Sequence, residues 1–392
     1  MPHSELLDLL VRWVHLIAGI MWIGNSMLFN WLDRNLVKLD GARPKSDGVI
    51  WMVHSGAFYE VEKKLLEPNQ MPDKLHWFKW QNGVTWMSGM ALLVLVYYMH
   101  EGAFLTDPAV SAMTRWQATG LCVGILVGAW VVYDLLWRLL GKVPVVPAAT
   151  SIALLFGIAY ALSITVSGRA AYMHVGVLMG TLMTGNVWMI IIPSQRELIA
   201  ATKEGREQDR RLSLRAKERS IHNNYMTFPL LFIMISNHFP STWGSAHRFW
   251  VLLVLMVGGA LTRHLMNIRF WFRPWLKLAV PTVALTIAGV YVLTLRRNVS
   301  GAEGAAVAFS AVRDIVTQRC QSCHSATPTE KMFPAAPAGV MFDTPEQIKA
   351  MSLRIRERSV VQKTMPFLNR TAMTDPERQT LGRWIDQGAK TQ

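Results

Sequence analysis

The sequence predicts an all-α protein in two parts, with an eight-helix transmembrane bundle over residues 1–297 and a small soluble helical domain over residues 309–392, joined by a linker at 298–308. Three observations predict it. Hydrophobic residues make up 51% of the chain and charged residues 17%, with 16 Trp and 22 Met, which is too apolar for a soluble protein of this size. Eight apolar runs approach the roughly 20 residues needed to cross a hydrocarbon core, namely 6–29, 82–99, 117–139, 148–166, 171–192, 226–240, 248–268 and 276–295. Lys and Arg crowd into alternate connections: 22 fall in 30–80, 138–147, 194–225 and 263–277, against 3 in 100–116, 167–171 and 237–248. The basic set marks the cytoplasmic side, so both termini are expected in the periplasm of a bacterial inner membrane.

The same distribution disposes of another reading. A net charge of +14 suggests nucleic acid only where the cations form one stripe, and here they are split into blocks between apolar runs, so no nucleic-acid partner is expected. The chain's partner at this level is the lipid bilayer. Three cysteines cannot build a disulfide framework, and Cys122, inside an apolar run, reads as a buried thiol. The first apolar stretch lacks the short core and small-residue cleavage site of a secretory signal, so it is expected to persist as a helix.

After residue 297 the apolar signal stops, and Asn298–Ala306 reads as a flexible small-residue linker. Ala311–Arg319 and Pro345–Glu357 are expected helices. Thr374-Asp375-Pro376-Glu377 supplies an N-cap, a Pro and an acid that open a last helix with Leu381, Trp384 and Ile385 on one face. Between the first two helices stands Cys320-Gln321-Ser322-Cys323-His324, a C-x-x-C-H haem-attachment motif. Two thiols bind the porphyrin and the adjacent His324 becomes the proximal iron ligand. A zinc site would want a second ligand pair, which the segment lacks, and a thioredoxin-like pair would want a βαβ setting. The domain is therefore expected to be a small class I-like cytochrome c with one covalent haem c. Among Met332, Met341, Met351, Met365 and Met373, Met365 is the expected sixth ligand because Pro366 stiffens its loop, with Met373 next.

Ionisable groups inside apolar runs are costly and hence functional candidates. His15, His100, His174 and His238 fall toward the periplasmic side, and Asp134, Arg138, Arg263, His264 and Asn267 toward the cytoplasmic side. His15 and His174 are candidate ligands of an intramembrane haem b, and Asp134 with Arg263 a candidate ion pair. His15-Leu16-Ile17-Ala18-Gly19 with Gly24-Asn25 and His174-Val175-Gly176 with Gly185-Asn186 are candidate traces of a four-plus-four repeat. The first cytoplasmic connection mixes aromatics with charges in the manner of an interfacial helix, or of a lid that brings His54, Glu60 or His76 over a pocket. His222-Asn223-Asn224-Tyr225 either caps the sixth span or binds a polar ligand.

Three groups of residues carry a family resemblance. They are Trp13-Val14-His15-Leu16-Ile17-Ala18-Gly19-Ile20-Met21-Trp22-Ile23-Gly24-Asn25-Ser26; Phe58-Tyr59-Glu60-Val61-Glu62-Lys63 with Leu75-His76-Trp77-Phe78-Lys79-Trp80; and His222–Tyr225 with Ser236-Asn237-His238. At these positions the chain resembles the bacterial membrane-bound urate oxidases, in which a multi-span domain precedes a cytochrome c domain. Where that resemblance leads one to expect a glycine run after His54, the chain reads Ser55-Gly56-Ala57. The resemblance implies oxidation of urate to 5-hydroxyisourate, with electrons passing to the fused haem c and on to cytochromes or a terminal oxidase. It supplies no catalytic residue, and His15, His54, Glu60 and His76 stand as candidates. Arg169, Arg263, Lys79, Asn82, Asn186 and Asn224 are candidate contacts for a flat anion such as urate. Oxidation at the cytoplasmic face would require electrons to cross a core of roughly 30 Å, too far for one tunnelling step, whereas a periplasmic substrate site would need only the haem c. Competing classes are a non-enzymatic relay between a dehydrogenase and an oxidase, a haem-based redox sensor, and a transporter with a cytochrome appendage.

Overall fold

A computed structural model describes residues 3–38, 46–99, 104–107, 110–295, 305–333, 335–361 and 363–391. Helices dominate. In chain order the elements are α1 (His3–Asn35), β1 (Ser46–His54), β2 (Ala57–Lys64), α2 (Trp80–Leu93), α3 (Arg115–Leu140), α4 (Val145–Thr165), α5 (Gly168–Gly185), α6 (Ile192–Lys203), α7 (Arg210–Ser236), α8 (Pro240–Trp243), α9 (Arg248–Ile268) and α10 (Trp275–Thr294), then α11 (Phe309–Arg319), α12 (Pro345–Ala350), α13 (Ser352–Ile355) and α14 (Asp375–Asp386). Single π-helical turns extend α2 over Val94–Tyr98 and join α5 to α6 over Asn186–Ile191, making one helix from Gly168 to Lys203.

Local chemistry accounts for several boundaries. Thr114 and Gln117 form a capping box at α3, Ser167 accepts the N–H of Ala170 at α5, and Asp209 accepts the N–H of Arg211 at α7. The expected caps of the last helix are present, with Thr374 and Glu377 satisfying each other's backbone donors. Its Leu381, Trp384 and Ile385 are all buried. The expected single helix 345–357 is instead α12, α13 and a π turn over Arg356–Val361.

Six helices among the described residues are long and apolar enough to cross a membrane. Of the eight expected spans, the second is a 14-residue helix plus its π turn, and the sixth belongs to α7, whose first half carries Arg210, Arg211, Arg215, Lys217 and Arg219. Helix α5 is the hub and touches α2, α3, α4 and α7. Burial follows that position: 56% of its most apolar window is covered, against 6% for the windows of α1 and α10. Close approach depends on Gly176, where a Cβ would meet Ile233 and Met234 of α7 within 2.7 Å. The outer surface stays apolar, with Trp13, Leu16 and Ile20 of α1 and Leu285 and Ile287 of α10 all exposed. Below, the near end of the bundle is that where α1, α3, α5 and α9 begin, and the far end is the opposite one.

One element corrects the expectation of an all-α chain. The aromatic connection after α1 is not an interfacial helix but an antiparallel hairpin of β1 and β2. Ser55 and Gly56 make its two-residue turn with φ of 51° and 74°, the left-handed pair that matches the twist of a hairpin. Strand chemistry explains the outcome, since Val49-Ile50-Trp51-Met52-Val53 and Phe58-Tyr59 are β-branched and aromatic residues flanking a tight turn. The segment from Leu75 to Phe78 is also irregular before α2 opens.

Residues 305–391 enclose a second core of Val312, Val316, Phe342, Ile348, Ile355, Met373, Leu381 and Trp384. Most of the linker, His100 and the two Arg at 296 and 297 lie outside the described residues. Trp384 is 1% exposed and its Nε1 donates to the carbonyl of Lys390 at 2.7 Å. Trp384→Ala is expected to destabilise this domain by about 3–5 kcal/mol, read as earlier thermal exposure of residues 309–391 to protease in the full chain.

Candidate functional site

The far half of the bundle holds a polar network that begins at Asp134 near the end of α3. Its carboxylate accepts Nη2 of Arg219 at 3.1 Å and pairs with Arg138 at 2.5 Å and Arg215 at 3.7 Å. Arg219 is 0% exposed, lies over the Tyr133 ring at 4.5 Å, and leaves Nε and Nη1 without a well-formed hydrogen bond. Three guanidinium groups thus share one carboxylate, with Glu218 a second negative charge beside Arg215 and Arg219. The expected partner of Asp134 was Arg263. That residue instead donates Nε to Asn224 Oδ1 at 2.7 Å, which also accepts from Asn267 at 3.0 Å. The apolar run starts only at 226, which places Arg219 among the connecting-loop charges, yet α7 extends back to Arg210. The step-of-four series Arg215, Arg219, Asn223, Thr227 was the signal that places these residues on one face.

From Tyr133 the network runs inward. Its hydroxyl and Nδ1 of His222 are 2.7 Å apart, and it accepts Nδ2 of Asn186 at 3.1 Å. Asn186 Nδ2 also reaches Oδ1 of Asn223 at 2.9 Å, while Asn223 Nδ2 donates to the carbonyl of Met183 at 3.0 Å. Asn186 Oδ1 is buried without a partner. On one side Asn223 closes a cavity of about 100 Å³ between α1, α5 and α7, walled by Trp22, Ser26, Val187, Ser220 and Thr227. On the other, His222 lines an open groove of about 470 Å³ with Trp137, Val145, Leu214 and Lys217. One hydrogen-bonded line therefore joins a secluded cavity to the surface. The cavity wall presents one indole, three hydroxyls and a carboxamide.

The other sequence candidates are dispersed. His54 and Glu60 lie exposed on the hairpin, Glu60 facing Trp51 across the strands, and His76 is exposed in the irregular segment; none of the three lines either cavity. Asn82 is tied to Thr184 at 3.1 Å and Trp188 at 2.9 Å, Lys79 lies over Trp77, and Asn224 is held as above. Arg169 sits at the near end, where its Nε donates to Asn237 at 3.1 Å.

His15 and His174 do not fit a shared haem b. Nδ1 of His15 lies 2.9 Å from the carbonyl of Thr85 and 3.1 Å from Ser88 Oγ, whereas His174 meets the Tyr98 hydroxyl through Nε2 at 2.9 Å and the Ala170 carbonyl through Nδ1 at 2.8 Å. Ten residues, about 15 Å of helical rise, separate Ser88 from Tyr98. The pair stands at different depths, and both nitrogens of His174 are occupied. The same difference of depth leaves the proposed repeat without support.

Residues 309–391 do suit a covalent haem c. Cys320 and Cys323 are half-buried just after α11, and Nδ1 of His324 sits 2.9 Å from the carbonyl of Val340, the arrangement that orients a ligating imidazole and keeps Nε2 for a metal. Burial pushes the Cys320 thiol up to about 12 and raises Cys323 as well, the reverse of a redox-active dithiol. Met373 is packed into the domain core, while Met365 is half-buried in a loop with Lys363, Leu368 and Asn369 at φ near 50°. Arg378, unforeseen from sequence, holds that loop: it donates to the carbonyls of Ser359 and Met365, the latter at 2.7 Å, and to Asn369 Oδ1 at 3.0 Å.

The family model described as urate oxidase N-terminal matches residues 2–294. No curated protein and no solved structure matches the chain significantly. Asp134→Asn is expected to strand Arg219 as an uncompensated buried cation and to cost about 3–5 kcal/mol, seen as a lower unfolding temperature in detergent. Adding Arg219→Met to that variant should recover most of the loss.

Proposed function

The chain belongs to the urate oxidase N-terminal family, and from that premise we propose that it is an integral membrane oxidoreductase that oxidises urate to 5-hydroxyisourate and delivers the electrons to a haem c on residues 309–392. The family match over 2–294 carries this reading. Three features of the structure support it: a belt of long apolar helices, a small cavity with polar walls joined by hydrogen bonds to a buried arginine cluster, and a C-terminal domain whose residues suit a c-type haem. In this reading the near end of the bundle is periplasmic, the far end cytoplasmic, and the bundle crosses the inner membrane eight times.

The reaction sets the demands on the site. Urate and one water become 5-hydroxyisourate with release of two protons and two electrons. Trp22 offers a stacking face to the purine, and Asn223, Ser26, Ser220 and Thr227 offer hydrogen bonds to its edge. Arg219, behind Tyr133 and Asn186, is the buried cation that would favour the anion over the neutral form, its charge partly offset by Asp134. The line Asn223, Asn186, Tyr133, His222 holds the cavity's carboxamide in place, since Asn186 Nδ2 donates to both Asn223 and Tyr133, and His222 stands at its outer end as a proton acceptor in the cytoplasmic groove. Cys320, Cys323, His324 and Met365 would hold the haem c, which would supply one-electron acceptor chemistry, with cytochromes or a terminal oxidase as onward partners. Thirteen residues of α7, about 20 Å, lie between Asn223 and Ser236 at the periplasmic end, so this reading requires a further redox-active group between the cavity and the haem c.

Anaerobic addition of urate to the purified oxidised protein is expected to reduce the haem; a spectrum unchanged by urate overturns the enzymatic reading. Asn223→Ala should raise the KM for urate by about tenfold, the worth of one well-placed hydrogen bond, while haem content is unchanged. Arg378 is a positioning residue for Met365. In Arg378→Ala the sulfur-to-iron charge-transfer band of the oxidised protein should weaken, with the covalent haem retained.

A further inference from the structure

The C-terminal domain meets the bundle through a short stretch that includes Met365. The ring of Phe367 packs on that of Phe104 with centroids 4.6 Å apart. Three residues earlier, Thr364 lies so close to Gly244 that a Cβ on the glycine would stand 2.9 Å from Thr364 Cγ2. Met365 is held between these two contacts, so the edge of the domain that carries it faces the bundle. Beneath Phe104 the contacts continue inward. The guanidinium of Arg169 lies 5.0 Å over Phe104 and 5.9 Å over Tyr97, and is tethered by Asn237. Tyr97 is buried and packs edge-on against His174 at 5.7 Å, and His174 holds the Tyr98 hydroxyl at 2.9 Å. A continuous file of π systems and one delocalised cation thus runs from the membrane interior to the residue beside Met365.

We propose that the Thr364–Phe367 loop is the docking surface through which the C-terminal domain receives electrons, and that Phe104, Arg169 and Gly244 are its seat on the bundle. The proposal rests on the urate-oxidising reading for the source of the electrons. The two electrons from each urate would cross this contact one at a time to the haem c, each being passed on to an external cytochrome or oxidase before the next. The seat is small, one aromatic pair and one close backbone approach, and the expected linker spans 298–308. Such a contact is broken readily, and the docked state depends heavily on the Phe104–Phe367 pair.

The test uses the full chain in nanodiscs with spin labels on Trp116→Cys and Leu353→Cys, both strongly exposed and on opposite sides of the contact. With the haem reduced, the parent should give one narrow distance. Phe104→Ala/Phe367→Ala should broaden it, and in rapid mixing the same variant should slow urate-driven haem reduction by about fivefold or more. Reduction by ascorbate, which reaches the haem from solution, should keep its rate. A narrow distance that survives the double substitution overturns the docking surface, and a broadened distance with an unchanged urate rate overturns its role in electron transfer. Failure of urate to reduce the parent overturns the urate reading instead, and the distances still decide the docking.

Discussion

Compensation of charge inside an apolar bundle governs this molecule. Arg219 is wholly enclosed, and the helices α3 and α7 that carry Asp134 and Arg219 must stay in register for the cation to be tolerated at all. Tyr133 precedes Asp134 by one residue, and His222 and Asn223 follow Arg219 by one turn. The same registration therefore sets the Tyr133 hydroxyl against His222 and Asn186. Helix α5 supplies Asn186 from between the two, so the polar line is fixed by three helices and cannot be rebuilt by any one of them. A surface pair would give no such constraint, because water would take over from either partner.

The two parts of the chain solve different problems. The bundle packs an apolar core around α5 and leaves further apolar side chains outward, with its polar network inside, while the C-terminal domain packs an apolar core around Trp384 and Leu381. A single buried cation again does the organising in the smaller part. Arg378 gathers three oxygens from both sides of Met365 and holds a loop whose backbone would not otherwise settle with three non-glycine residues in the left-handed region.

Long helices were legible in the sequence because their apolar runs exceed any competing pattern, and the last helix was legible from Thr374 to Glu377 because capping is local chemistry. The hairpin was not, since alternating aromatics and charges in Trp51 to Lys63 satisfy an interfacial helix as well as a strand, and only the Ser55-Gly56 turn separates the two. At the site, Asn186 and the His222-Asn223 pair stood out as polar residues in or beside apolar runs. Arg219 and Tyr133 did not, one hidden among loop cations and the other an ordinary tyrosine until Asn186 and His222 converge on it. Pairings such as Asp134 with Arg219 join residues 85 positions apart, and no local signal in either helix specifies them.

The π turns at Val94–Tyr98 and Asn186–Ile191 tie the length of two helices to the aim of their side chains. Each is equivalent to one residue inserted into an α-helix, which rotates everything beyond it by about 100°. Met99 closes the first by bonding back to Val94, and the turn carries Tyr97 and Tyr98; the second carries Asn186. A single deletion in either would restore an ideal helix and swing those side chains off their partners. Relatives that share this arrangement must keep the length of these two helices, while α1 and α10 are free to drift in composition along their outward faces.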